Sequence, residues 1–228
     1  MRKIIGLLLL GIVAWGIAVS LTRIPFGAPK TKVGRYYVDK GVRETGATNI
    51  VTSVVLNYRG FDTLGEVTVL FIATIGLGAV LTTGRRKKSE RKIEPASLIL
   101  YTGCRFLFPL ILLFGTYIFI HGHLTPGGGF QGGAIIASAF VLIYLGCRGR
   151  RISELGSKLA ESLGGLVFVI VGLVGLAVGG YFLINFLPKG IPNSLFSAGI
   201  IPIIYIAIGF KVGSELSSII DKLVEETE

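Results

Sequence analysis

Six long apolar runs, each set off by a charged connector, leave few folds open to this chain. They cover about 4–21, 62–81, 96–120, 132–145, 162–187 and 195–210. Bilayer hydrocarbon is about 30 Å thick, which a helix of about 20 apolar residues crosses. Inside it every backbone N–H and C=O must be satisfied within the protein, which selects helices. The fold expected is therefore all-α and integral to the membrane, with about six transmembrane helices. A soluble protein spreads charge along its amphipathic surfaces. Here 51% of residues are hydrophobic and 16% charged, and the charges gather between the runs.

The net charge of +10 is confined in the same way. Lysine and arginine crowd the short connectors, notably Arg85, Arg86, Lys87, Lys88, Arg91 and Lys92 in 84–94, and Arg148, Arg150, Arg151 and Lys158 in 148–158. That is the pattern of the positive-inside rule, and no nucleic-acid motif accompanies it. Six spans put both termini and these two connectors on one side, which the charge bias marks as cytoplasmic. That side carries fourteen lysines and arginines, counting Lys211 and Lys222 in a polar tail; the other carries seven in the long first connector, plus Lys189.

The first run reads as a retained signal-anchor helix, although Ala18-Val19-Ser20 resembles a small-residue cleavage site. Residues 22–60 form the longest connector, and its second half, 46–57, holds too short an apolar stretch to span. It is expected to form a short interfacial or re-entrant helix packed on protein. The chain is expected to end, after the sixth span, in an amphipathic polar tail containing Lys211, Glu215, Asp221 and Lys222.

At the start of the second run, Asp62 and Glu66 lie one helical turn apart on one face, with Thr63 beside them. Asp62 and Thr63 suit a helix N-cap, and a first-turn acid suits the helix dipole. Glu66 sits about 6 Å further along the axis than Asp62. An ionisable group in a spanning segment normally faces a protein interior or a water-filled path. Capping and the lining of an ion path both stand as readings of this face.

The third run contains Arg105 and Pro109 and ends at His121 and His123. Arg105 can snorkel toward the basic side or pair with an acid. The histidines can relay protons or simply sit at the helix end, where the dipole favours them. After them comes Pro126-Gly127-Gly128-Gly129-Phe130-Gln131-Gly132-Gly133. No lysine follows these glycines and no strand precedes them, which argues against a nucleotide site. They are expected to permit irregular backbone at membrane depth, with Thr125 and Gln131 as hydrogen-bonding side chains. Cys104 and Cys147 lack metal-ligand spacing and read as small core residues. No nucleophile-and-base pair or carboxylate-rich metal cluster stands out, so the chain is expected to be non-catalytic, with no cofactor of its own.

Two stretches resemble a known family. Residues 57–76, NYRGFDTLGEVTVLFIATIG, resemble the C-terminal part of the large A subunit of Mrp-type multisubunit sodium/proton antiporters. The same segment is a separate small subunit in archaeal membrane-bound hydrogenases and related sulfur-reducing complexes. Residues 122–135, GHLTPGGGFQGGAI, resemble the signature of the Mrp B subunit, a four-span MnhB-like domain.

The resemblance implies a fusion of two neighbouring subunits: 1–83 A-like, 84–94 a basic connector, 95–215 MnhB-like and 216–228 a polar tail. It implies a membrane complex exchanging Na+ and H+, with other antiporter-like subunits as partners. In the archaeal relatives it further implies a hydrogenase-like, iron–sulfur peripheral arm. Asp62, Thr63 and Glu66 match the acidic motif of the ion-translocating region, and His121, His123 and the glycine stretch match the B-type signature. A purely structural scaffold and a subunit of a stand-alone Mrp antiporter are the alternatives.

Overall fold

Every apolar run expected to cross the membrane contains a helix in the computed structural model, which describes residues 2–23, 32–83, 96–147 and 153–227. The basic connector 84–94 and Arg148, Arg150 and Arg151 lie outside the described residues. Among the described residues six helices are long and apolar enough to span: α1 (Arg2–Arg23), α4 (Gly60–Thr83), α5 (Leu98–Ile120), α6 (Gly129–Gly146), α7 (Glu154–Gly179) and α8 (Ile201–Thr227). Two shorter helices lie between the first two spans, α2 (Lys32–Thr45) and α3 (Ile50–Thr52). The π-helical turn Ser53–Tyr58 runs on from α3. No strand occurs among the described residues.

The chain divides into two units, residues 1–36 and 37–228. In the first, α1 carries aliphatic side chains on every face, as a helix surrounded by hydrocarbon or other helices does. The second unit contains the core. Its helix α8 packs against α4, α6 and α7, and α5 pairs with α6. Ile201, Ile204, Ile208 and Val212 of α8, with Ile200 just before it, are buried against Val67 of α4 and Phe168 of α7.

Small residues set these distances, because lipid gives helices no hydrophobic reason to associate and close packing must supply it. A methyl on Gly132 would stand 2.7 Å from the Gly115 carbonyl of α5. One on Gly133 would stand 2.8 Å from Val212 of α8. Most of the signature glycines therefore act inside α6 as packing surfaces, where irregular backbone was expected. Gly122, Gly127 and Gly128 belong to the loop, and Gly128 takes a φ of 150°.

The 46–57 stretch does fold as a short helix packed on protein, through α3 and the π turn, where Thr52, Ser53 and Leu56 are buried. Helix α2, ahead of it, was not legible as an element. The larger correction concerns the last two spans. The fifth span stops at Gly179, capped by Gly180 in the left-handed conformation. Residues 181–200 are irregular, and the sixth span begins at Ile201 and continues to Thr227.

Irregular backbone beside a membrane needs its own hydrogen bonds. Here Asn185 supplies two of them, donating to the Ala198 carbonyl at 3.1 Å and accepting from the Ile200 amide at 3.1 Å. The Ala198 amide donates to the Lys189 carbonyl at 2.8 Å. Phe182 and Ile184 fold back onto Gly172 and Gly179 of α7. The expected polar tail is the second half of α8, with Lys211 and Glu215 buried in it.

Candidate functional site

One end of the helical core collects the start of α4, the end of α5, the start of α6, the 181–200 segment and the start of α8. Asn49 opens α3 as its cap, accepting from the Val51 amide. Its side-chain amide reaches across to the carbonyls of Gly122 and Thr125, at 2.9 and 3.0 Å. Its backbone amide donates to the His123 carbonyl at 3.1 Å. Thr52 donates to the Gly122 carbonyl at 2.7 Å. Having one proton, the Thr52 hydroxyl then accepts from the Tyr205 hydroxyl, 2.7 Å away. The loop between α5 and α6 is thus fastened to α3 and α8 by polar contacts.

Within this frame the anticipated residues separate. Thr63 is buried and donates to the Val55 carbonyl at 2.6 Å, tying α4 to the π turn. Asp62 pairs with Arg59 on the exposed side of α4. Glu66, one turn on from Asp62, is exposed and points away from the core of its own chain. Asp62 therefore steadies the helix start, while Glu66 has no such local task among the described residues.

The histidines also differ. His121 ends α5, half-buried, its ring stacked on Tyr117 at 4.2 Å and its Nδ1 3.2 Å from the Tyr117 carbonyl. His123 is fully buried, and neither ring nitrogen has a hydrogen-bond partner. Burial pushes its pKa below the ordinary histidine value. The backbone of Ser194 and Leu195 works against that shift without forming a hydrogen bond to the ring. No hydrogen bond or ion pair among the described residues links either histidine to Asp62 or Glu66. Thr125, Pro126 and Gln131 are exposed on the rim of the loop.

Arg105 is exposed and donates to the Tyr101 hydroxyl at 3.2 Å, one turn back along α5. No acidic side chain among the described residues pairs with it. Its reach runs toward the start of α5, the direction of snorkelling. Cys104 and Cys147 are buried free thiols packed together, as small core residues are.

Sequence reasoning missed the ion pair inside α8. Lys211 Nζ lies 2.5 Å from Glu215 Oε1, with side-chain exposures of 9% and 0%. A signal existed in the helical spacing of Val212, Leu216, Ile219, Ile220 and Leu223, which carries the apolar stripe past both charges.

Comparison with known proteins sets this geometry in context. Residues 99–218 match the family described as a domain related to the MnhB subunit of Na+/H+ antiporter, and residues 1–96 match the MbhE family. An uncharacterized protein of Methanocaldococcus jannaschii is 34% identical over 233 residues, covering 89% of each chain. A chain of the membrane-bound sulfane sulfur reductase, described as an archaeal respiratory membrane complex, superposes with a TM-score of 0.81 at 50% identity, covering 98% of both chains. A chain of the Mrp complex from Dietzia sp. DQ12-45-1b gives a TM-score of 0.77 at 26% identity, covering 97% of this chain but 26% of that one. An MbhE-type segment followed by an MnhB-type segment, on six membrane-length helices, shows that this chain belongs to the MnhB-related family of Na+/H+ antiporter subunits and is an antiporter-like, multi-pass membrane protein.

Proposed function

We propose that this chain is a non-catalytic subunit of an archaeal-type respiratory complex that couples electron transfer to Na+ and H+ movement, and that Glu66 lines the ion path where α4 meets a neighbouring subunit. The observation that carries this is the outward aim of Glu66. It lies six residues into α4, about 9 Å along the axis. A carboxylate at that depth is costly against lipid, so a covering protein surface or a hydrated path is required. The partners that fit are other antiporter-like membrane subunits, with hydrogenase-like and iron–sulfur proteins forming the peripheral arm. So short a connector as 84–94 favours neighbouring positions for the A-like and MnhB-like parts, and the basic connectors favour cytoplasmic termini.

The experiment is Glu66→Gln in the assembled complex reconstituted into liposomes. A role in the path predicts loss of Na+-dependent proton movement per complex at unchanged yield. Unchanged transport overturns it. A scaffold role is favoured by the glycine contacts of α6, and it predicts lower yield with normal transport per assembled complex. Mass spectrometry of the intact complex, isolated through this chain, separates a redox-driven pump from a stand-alone exchanger. Iron–sulfur subunits accompany the antiporter subunits only in the first.

A further inference from the structure

The Lys211–Glu215 pair is buried near the middle of the membrane-length helix α8. Lys211 is ten residues into α8 from Ile201, about 15 Å along the axis, which is half the thickness of bilayer hydrocarbon. The pair does not look like a stabilising device. Lysine preceding glutamate is the less favourable order for a helical i, i+4 pair. Buried ion pairs also seldom add stability over apolar residues of similar volume.

The surroundings are shaped to hold it. The Lys211 ammonium lies 4.7 Å over the Phe71 ring of α4. On α7, a methyl at Gly164 would approach Lys211 Cβ to 3.0 Å, and one at Gly165 would stand 3.8 Å from its ammonium. Glu215 is fully buried, and its Oε2 has no hydrogen-bond partner. That free carboxylate oxygen can accept a proton.

From these contacts we infer that Lys211 and Glu215 form a proton-exchange pair within this chain, on a route separate from Glu66. The inference rests on the ion-moving role proposed above. A proton arriving at Glu215 Oε2 forms an O–H bond and cancels the counter-charge of Lys211. The ammonium then releases one of its own protons, breaking an N–H bond, toward the half-buried Glu161 carboxylate of α7, which lies between Ser157, hydrogen-bonded to the Ser214 carbonyl, and Gly164, packed on Lys211. Transfer of the Glu215 proton to the neutral amine restores the charges of the pair, and Glu161 regains its own on passing its proton onward. One proton enters, one leaves and no electrons move.

A metal cation does not suit the same place. Sodium is a hard cation that needs several oxygen ligands. The Glu215 carboxylate already faces the Lys211 ammonium, whose charge repels a second cation, and no metal-holding cluster occurs among the described residues.

The charged and titratable groups around the pair are few. Helix α7 supplies Glu161 and, one turn nearer its start, Lys158. Helix α4 faces the pair with Phe71, and its acids Asp62 and Glu66 lie toward the other end. Helix α6 presents Gly133 and Ile136 at this level, with the Tyr144 hydroxyl two turns further on, and the α5 thiol Cys104 belongs to a separate cluster with Cys147. On α8 itself, Tyr205 precedes the pair, and Asp221 and Lys222 follow it.

The test uses the purified complex with Glu215→Gln and with the double change Lys211→Met/Glu215→Leu, which removes both charges at similar volume. In pH-difference infrared spectra, the wild type is expected to show a protonated-carboxyl band that Glu215→Gln lacks. The absence of such a difference overturns the proposal whether or not the complex moves sodium. In liposomes, the double variant is expected to assemble and lose proton transport by roughly a hundredfold, the low end for a positioned proton-transfer group. Wild-type transport by the assembled double variant overturns the proposal and leaves the pair a structural one. Wild-type complex that moves no protons refutes the ion-moving role, and the infrared result still decides whether Glu215 exchanges a proton.

Discussion

The hydroxyls of Thr52 and Tyr205 lie 2.7 Å apart although 153 positions separate them in the chain. The contact joins the MbhE-type segment to the MnhB-type segment, next to the loop that carries both histidines. Hydrogen bonds between membrane helices contribute about 0.6 kcal/mol on average and at most about 1.7. Thr52→Val, Tyr205→Phe and the double variant should therefore show a coupling of about that size in thermal unfolding of the purified complex. Thr52→Val should cost more than Tyr205→Phe, because it also strips the Gly122 carbonyl of its donor.

Gly132→Ala should weaken or abolish assembly. Its added methyl meets the Gly115 carbonyl at 2.7 Å and Phe119 at 3.0 Å, and the first of these is backbone that cannot rotate away. Overpacking of this kind costs about 1–3 kcal/mol. Gly103→Ala is the matched control, since nothing stands within 4 Å of its added methyl. Yield of intact complex on a sizing column distinguishes the two.

Acid should destabilise the protein through His123. Its folded-state pKa is depressed by burial below the ordinary histidine value of 6.5. Below that value the unfolded chain binds a proton that the folded chain refuses, so stability falls with pH until the folded-state pKa is passed. Thermal midpoints measured from neutrality down to about pH 5 should fall more steeply for the wild type than for His123→Phe. Parallel curves would show that the ring does not titrate in this window.

Asp62→Asn should change stability by less than about 1 kcal/mol, because its partner Arg59 and Asp62 itself are 63% and 50% exposed. Transport per assembled complex should stay close to wild type, in contrast to Glu66→Gln. A large transport loss in Asp62→Asn would extend the ion path to the first turn of α4.

The anticipated site residues lie close together in sequence, and the fold gives them different tasks. Asp62 pairs with Arg59 and Thr63 donates to the Val55 carbonyl, contacts other than the backbone-amide caps their residue types suggest, whereas Glu66 is turned outward by its place on the helix. His121 behaves as a helix-end residue. His123, two positions later, is buried because the Asn49 contacts draw the loop inward. Residue type and spacing are the same for both histidines, so only the long-range contacts of Asn49 could separate them.

The sequence by itself determined that this is a multi-helix membrane protein, because hydrocarbon demands about 20 apolar residues per crossing and that demand is written in composition. It also determined where α4, α5 and α6 lie. It misplaced the end of α7 and the start of α8, since hydropathy does not report where backbone groups find partners. Asn185, Gly180 and the turns around Gly190 and Gly199 let an apolar stretch abandon the helix. Lys211 and Glu215 read as the edge of the membrane when each charge is weighed alone. Tertiary structure buries both inside the helical core, because opposite charges one turn apart, under Phe71 and against Gly164, offset much of each other's burial cost.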